Sequence, residues 1–250
     1  FAYFQAFTAR QKLENMQMDF VANVSHELRT PLTTIKSYTE TLLSGQVDDK
    51  ETINQFLQVI DAEADRMNRL VKVLLQLSRL DYNQEIWNMR EINLISLLKS
   101  AVTRVEMTAK NKNQHLNYIF NDNQKIMSVI DRDGIEQVLL NVLSNAIKYT
   151  QEGGRIDIDA LRMEKNAHII VTDNGIGIPE KEQSRVFERF FRADKARSRA
   201  MGGTGLGLAI SKQIIEEHNG NIEIESKEGR GTKVTISLPL SITRGKQNIE

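Results

Sequence analysis

The sequence contains no cysteine, which excludes disulfides, thiolate metal sites and cysteine nucleophiles and fits a reducing compartment. Prolines are scarce, at Pro31, Pro179 and Pro239, and among the glycines only Gly45 precedes Gly134. With so few breakers, the first third reads as long helices. The later part, where the other glycines fall, reads as a compact mixed domain with tight turns. An excess of either charge is also missing. Lys plus Arg and Asp plus Glu each total 33, so no net field draws the chain toward nucleic acid or an anionic membrane. No apolar run reaches the ~20 residues of a membrane span, and no signal-peptide pattern opens the chain. What is present, 40% hydrophobic and 26% charged residues over 250 positions, is the make-up of one large or two ordinary globular domains.

Residues 1–11 carry Phe1, Tyr3, Phe4 and Phe7, an aromatic cluster that reads as the end of an upstream domain or a fusion joint, and the chain as a fragment. From about Lys12 to Ser44 apolar residues recur at helical spacing: Leu13, Phe20, Val24, Leu28, Leu32, Ile35 and Leu42. After "SGQVDDK" a second series runs through Ile53, Phe56, Ile60, Ala64, Met67, Val71, Leu74 and Leu77. Two amphipathic helices of ~30 residues joined by a short polar loop form an antiparallel hairpin, residues 12–82. A lone hairpin leaves half of each stripe wet, so two chains are expected to pair into a four-helix bundle. Residues 83–91 read as a linker and 92–244 as a second domain. That domain holds helices over Leu94–Lys110, Asp133–Tyr149 and Gly205–His218, with Gly220 as the residue that ends the last one. Strands follow from "HLNYIF", "GGRIDIDALRM", "NAHIIVTDNG", "GNIEIES" and "GTKVTISLPL". The expectation is an α+β sandwich with helices on one face of a mixed sheet.

The chain has four histidines, and one stands in "SHELRTPL". With Phe20 at zero and about 100° per residue, the apolar stripe spans about 0° to 120° and His26 falls near 240°. Thr30 lies one turn on along the same face, and Glu27 lies beside it. The imidazole is therefore expected to face solvent. One ring nitrogen can then act as nucleophile while a carboxylate takes or steadies the proton of the other. Pro31 removes an N–H and crowds the carbonyl of Glu27, so a kink is expected there, a natural place for a switch.

Four blocks of the second domain converge on one ligand. "NVLSNAIKYT" sets Asn141, Asn145 and Lys148 on one helix face, where amide oxygens can hold a hydrated Mg²⁺ and the lysine can meet phosphate. "VTDNGIGIP" ends an apolar strand with Asp173, a carboxylate that can accept from an adenine amino group, followed by glycines that let backbone approach a flat ligand. An Asp-Asn-Gly hairpin turn is the plainer reading of that block. "GGTGLGLAI" brings Gly202, Gly203, Gly205 and Gly207 into a helix whose free N–H groups face phosphate. No strand precedes it, which rules out a dinucleotide fingerprint. Between the blocks, Lys181 to Ala200 holds seven basic and three acidic residues; with Phe187, Phe190 and Phe191 as an anchor, it can serve as a lid.

These motifs, in this order, resemble those of sensor histidine kinases of bacterial two-component systems, in the WalK/PhoR-like group, over roughly residues 12 to 240. "SHELRTPL" is similar to the H box, "NVLSNAIKYT" to the N box, "DNGIGIP" to the G1 box, "FERFFRAD" to the F box and "GGTGLGLAI" to the G2 box. The resemblance implies a dimerising phosphotransfer hairpin followed by a Bergerat-type (GHKL) ATP-binding domain. It implies His26 as phosphoacceptor for Mg²⁺-ATP, Glu27 as proton acceptor and Thr30 as the residue orienting water in dephosphorylation. It also implies Asn145 as the Mg²⁺ ligand and Asp173 as the adenine reader. Asn141, Lys148, Tyr149, Gly175, Gly177, Gly203, Thr204, Gly205, Leu206 and Gly207 would make nucleotide contacts, with Arg192 and Lys195 as phosphate partners in the lid. The implied partners are a second copy and a response regulator's receiver domain. The implied setting is cytoplasmic, with membrane anchoring only through a preceding part of the parent protein.

Two other readings compete. An ATPase of the same fold would carry a glutamate where Asn141 stands, to activate water. A dimeric scaffold that only binds nucleotide would not need the acceptor, base and metal ligand together. His115 and His168 fall in strand-like segments. His218 closes a helix, where a partial positive charge suits the dipole, and Trp87 reads as linker packing.

Overall fold

The computed structural model describes residues 2–82, 84–121, 124–193 and 203–241. They divide into two compact units, Phe1–Tyr82 and, from Asn83 on, nearly all of the remainder. Lys195 and Gly202, and the side chains of Leu13 and the N-terminal aromatic cluster, lie outside the described residues.

The first unit is the hairpin. Helix α1 (Ala2–Leu43) runs on through Pro31, so the segment before residue 12 is helical as well. Helix α2 (Lys50–Asp81) opens with Asp49 as N-cap, its carboxylate accepting from Thr52 N–H at 2.7 Å. Tyr38 of α1 meets Phe56 of α2 edge-on, ring centroids 4.7 Å apart. Leu32 and Val71, members of the apolar stripes, are 56% and 44% exposed, and Leu57 and Leu75 are exposed to a similar degree. Two helices cannot enclose stripes this wide, so one apolar face of each remains uncovered within a single chain.

The second unit is a two-layer α+β sandwich. Strand β1 (Met89–Asn93) leads into α3 (Leu94–Lys110), then β2 (His115–Tyr118), β3 (Met127–Asp131) and α4 (Arg132–Tyr149). Next come β4 (Arg155–Arg162), β5 (Asn166–Asp173), the short α5 (Glu180–Gln183), α6 (Gly207–Glu217), β6 (Asn221–Lys227) and β7 (Gly231–Pro239). The five-stranded sheet has the order β2-β4-β5-β7-β6, parallel only between β2 and β4. Alternation sets its faces. Ile156, Ile158, Ala160, Ala167, Ile169, Val171, Val234, Ile236 and Leu238 are buried, while their neighbours along each strand are not. Apolar positions of α3, α4 and α6, among them Leu97, Leu98, Leu139, Val142, Leu143 and Ile214, close the core.

β1 and β3 form a separate antiparallel pair; the sequence reading assigned neither strand, and the start of β1 falls in the residues read as linker, 83–91. Asp131, at the end of β3, ties this region together. Its Oδ1 accepts from Gly134 N–H at 2.8 Å as the N-cap of α4, and its Oδ2 accepts from Asn88 N–H at 2.8 Å. Its own N–H donates to Nε2 of His218 at 2.9 Å.

His218 is therefore not a cation at a helix end. It is 1% exposed, its Nδ1 side bonds the carbonyl of Ile214 at 2.7 Å, and Trp87 stands edge-on to its ring at 5.1 Å. Burial holds its pKa below the ordinary value, against the opposing pull of the Ile214 carbonyl, Asp131 and Glu217. The left-handed residue closing α6 is Asn219, φ 56°, rather than Gly220. Gly220 is required by space, since a Cβ there would meet Ser237 O at 2.4 Å.

The unfolded chain protonates His218 near pH 6.5 and the folded chain only at lower pH, so stability falls as pH drops below about 6.5. Thermal unfolding between about pH 7.5 and 5.5 should show a steeper loss for wild type than for His218→Gln. Equal slopes would contradict the assignment.

Candidate functional site

Helix α1 presents His26 and Thr30 on its exposed side and Glu27 half-buried toward α2. Thr30 Oγ1 donates back to the His26 carbonyl at 3.3 Å. Ser25, Thr33 and Thr34 bond likewise to Val21, Arg29 and Thr30, so hydroxyls line the helix around Pro31. The Glu27 carboxylate, 13% exposed, lies 3.5 Å from Nη2 of Arg66, whose Nη1 lies 3.5 Å from Glu63. Sequence reading missed Arg66. The available signal was the hairpin's symmetry: Glu27 stands as far before Leu43, the end of α1, as Arg66 stands after Lys50, the start of α2.

In the second unit, α4 is the wall against which the other pieces are set. Its last carbonyls are closed by two side chains from the turn after α3. Lys112 Nζ donates to Ile147 O at 2.8 Å and Lys148 O at 3.2 Å. Gln114 Nε2 donates to Ile147 O at 3.0 Å and Thr150 O at 2.8 Å. This fixes the turn that carries Lys148, whose ammonium lies 5.2 Å from the centre of the Tyr149 ring. The Tyr149 carbonyl accepts from Ile176 N–H at 3.2 Å, which docks the loop after β5.

Asp173 ends β5 and is 8% exposed. Its Oδ1 accepts from Gly175 N–H at 2.9 Å and, more loosely, from Thr232 N–H at 3.3 Å. Burial raises its pKa, and the two N–H groups oppose that rise. Oδ2 has no hydrogen-bond partner among the described residues. The segment is not a two-residue hairpin turn, because Asn174 N–H bonds Arg155 O and the chain runs on to α5. Gly175 and Gly177 are close-packed: a Cβ would meet Tyr149 O at 2.5 Å and Lys227 O at 2.1 Å respectively. Gly231, not singled out from sequence, leaves room for the Asp173 carbonyl, 1.9 Å from where its Cβ would stand.

The start of α6 meets both the aromatic segment and α4. Gly205 has φ 72°, and a Cβ there would lie 2.8 Å from the Phe190 carbonyl carbon. Phe190 itself has φ 62°. Arg185 lies over the Phe191 ring at 4.6 Å and Lys212 over Phe187 at 5.5 Å. Asn141 is engaged with α6, through Ser211 and Gly207. Gly203, Thr204 and Leu206 fall in the same approach to α6, with Leu206 buried, and Arg192 is half-buried at the end of the aromatic segment. Among the described residues, no group of three or more His, Asp or Glu can cage a metal ion, and no helix is long and apolar enough to cross a membrane.

Residues 16–83 match the model of the His Kinase A (phospho-acceptor) domain. Residues 130–242 match that of the histidine kinase-, DNA gyrase B- and HSP90-like ATPases. The chain is 46% identical over 235 residues to the sensor histidine kinase WalK of Bacillus subtilis (strain 168), covering 93% of this chain and 38% of that protein. It therefore spans well under half the length of that relative. The catalytic domain of histidine kinase ThkA aligns at 32% identity and TM-score 0.54, over 61% of this chain and 95% of that one. Histidine kinase ThkA in complex with response regulator protein TrrA aligns at 28% identity and TM-score 0.73, over 92% of this chain and 64% of that one. With a phospho-acceptor hairpin followed by an ATPase sandwich, and relatives of that kind along nearly its whole length, the chain belongs to the sensor histidine kinases.

Proposed function

We propose that the chain is the core of an ATP-dependent protein-histidine kinase, which phosphorylates itself on His26 and passes the phosphoryl group to an aspartate of a response regulator's receiver domain. The observation that carries this reading is the exposed His26, followed in sequence by Glu27, on a hairpin that precedes a domain whose buried Asp173 carboxylate keeps one oxygen without a partner among the described residues. A His26 ring nitrogen attacks the γ-phosphorus, the bond to the bridging oxygen breaks, and ADP leaves. The proton of the imidazole passes to Glu27, whose carboxylate Arg66 steadies. In-line transfer needs nitrogen and phosphorus about 3–3.5 Å apart, so the two units must approach each other during the cycle. Thr30, one turn from His26 and exposed, orients water when the regulator's aspartyl phosphate is hydrolysed; its exposure supports this role.

Oδ2 of Asp173 accepts from the adenine amino group. Gly175 and Gly177 let backbone close on the ring, and Tyr149 flanks the nucleotide. Lys148, Arg192 and Lys195 meet phosphate, together with the N–H groups of Gly203 to Gly207 at the start of α6. Magnesium fits this donor set only in one way. With no carboxylate cage among the described residues, the ion would be held by phosphate oxygens and the amide oxygen of Asn145, where it would neutralise phosphate charge. The exposed apolar faces at Leu32, Val71 and Leu75 are covered by a second copy in a four-helix bundle. ATP as substrate places the reaction in the cytoplasm.

With γ-labelled ATP, wild type should acquire an acid-labile, base-stable label that His26→Ala lacks, while ATP binding by the variant is unchanged. A fully labelled His26→Ala would refute the acceptor. Asp173→Asn replaces an acceptor oxygen with a donor amide or turns it away; ATP affinity should fall by about tenfold or more, read by titration calorimetry. Thr30→Ala should keep autophosphorylation and slow release of phosphate from the phosphorylated regulator. Unaltered release would remove Thr30 from that role.

A further inference from the structure

Asn141 stands one turn before Asn145 on α4 and was expected to touch nucleotide, but its amide faces α6. Nδ2 donates to Oγ of Ser211 at 2.9 Å. A Cβ added to Gly207 would lie 2.3 Å from Asn141 Oδ1, 2.9 Å from its Cγ and 3.1 Å from its Nδ2, and these are the three nearest atoms. The backbone of Gly207 is not among the positive-φ glycines. Its lack of a side chain is therefore a matter of room for Asn141, not of conformation. Ser211, one turn further along α6, is 2% exposed. A mid-helix serine usually turns its hydroxyl back to its own helix; here it reaches α4.

We infer that Asn141 is a positioning residue. With Ser211 and the bare backbone of Gly207 it forms a joint that seats the start of α6 on α4, and it does not itself bind magnesium or phosphate. The joint fixes the phosphate-facing N–H groups of α6 relative to Asn145 and Lys148, the next residues on the same face of α4. This rests on the ATP-binding reading. A helix N-terminus acts only on what lies directly before it, and misplacement by about 1 Å can cost two orders of magnitude in a reaction that depends on it. Removing either half of the Asn141–Ser211 bond should therefore weaken the hold on the triphosphate and spare the adenine end, which Asp173 serves from β5.

The test uses the full chain and a fluorescent ATP analogue displaced by ATP or by adenosine. Ser211→Ala and Asn141→Ala should each weaken ATP about tenfold and adenosine less than about twofold. The double variant should be no weaker than either single one. Gly207→Ala should weaken ATP in the wild-type background and be nearly silent beside Asn141→Ala, since the added methyl then enters vacated space. If Ser211→Ala binds ATP as wild type does while Asn141→Ala does not, Asn141 acts on the nucleotide directly and the inference fails. Equal damage by Gly207→Ala in both backgrounds overturns it too, as does parallel loss of ATP and adenosine in Ser211→Ala, which would make the joint merely structural. A wild-type chain that binds no ATP would instead sink the reading beneath it.

Discussion

The carbonyl groups of Ile147, Lys148 and Thr150, at the end of α4, would lose their partners if Lys112 and Gln114 were absent. A buried helix end of that kind is costly, and closing it with an ammonium and an amide fixes the last turn in place. The other parts of the pocket are referred to this helix. Ile176 hangs from the Tyr149 carbonyl, Gly175 packs beneath it, and the start of α6 is set against Asn141. The candidate site is assembled by contacts that leave no room for a single added carbon at Gly175, Gly177 or Gly207.

Two titratable groups lie buried in the same unit and have opposite fates. His218 has both ring nitrogens occupied, by Asp131 N–H and the Ile214 carbonyl, and its burial serves the fold. Asp173 has one oxygen bonded by two N–H groups and the other left without a partner among the described residues. Burial shifts both toward their neutral forms. Only the second leaves an acceptor oxygen without a partner among the described residues, which is why Asp173 and not His218 is the candidate for a ligand contact.

The hairpin and the helices of the sandwich were legible because they rest on local periodicity. The exposure of Leu32 and Val71 in a single chain follows from the same stripes, which are too wide for one neighbouring helix to cover. Strand β1 escaped because "MREIN" is short and mostly exposed, and its partner β3 lies far along the sequence. The positive charge suggested for His218 failed for the same reason, as its position at the end of α6 is local and its bond to Asp131 is not. The glycine and asparagine blocks of the candidate site stand out in sequence. Their supports, Ser211, Arg66, Gly231 and the Thr232 N–H, do not, because nothing local distinguishes a serine that reaches another helix from one that folds back on its own.

Trp87 is the chain's single tryptophan, wedged against Gly134 and edge-on to the His218 ring. Its indole emission thus comes from one spot, where the chain leaves the hairpin and enters the sandwich. The molecule thus carries its own optical gauge of how Trp87 packs on Gly134 and His218 within the second unit, readable without any attached dye.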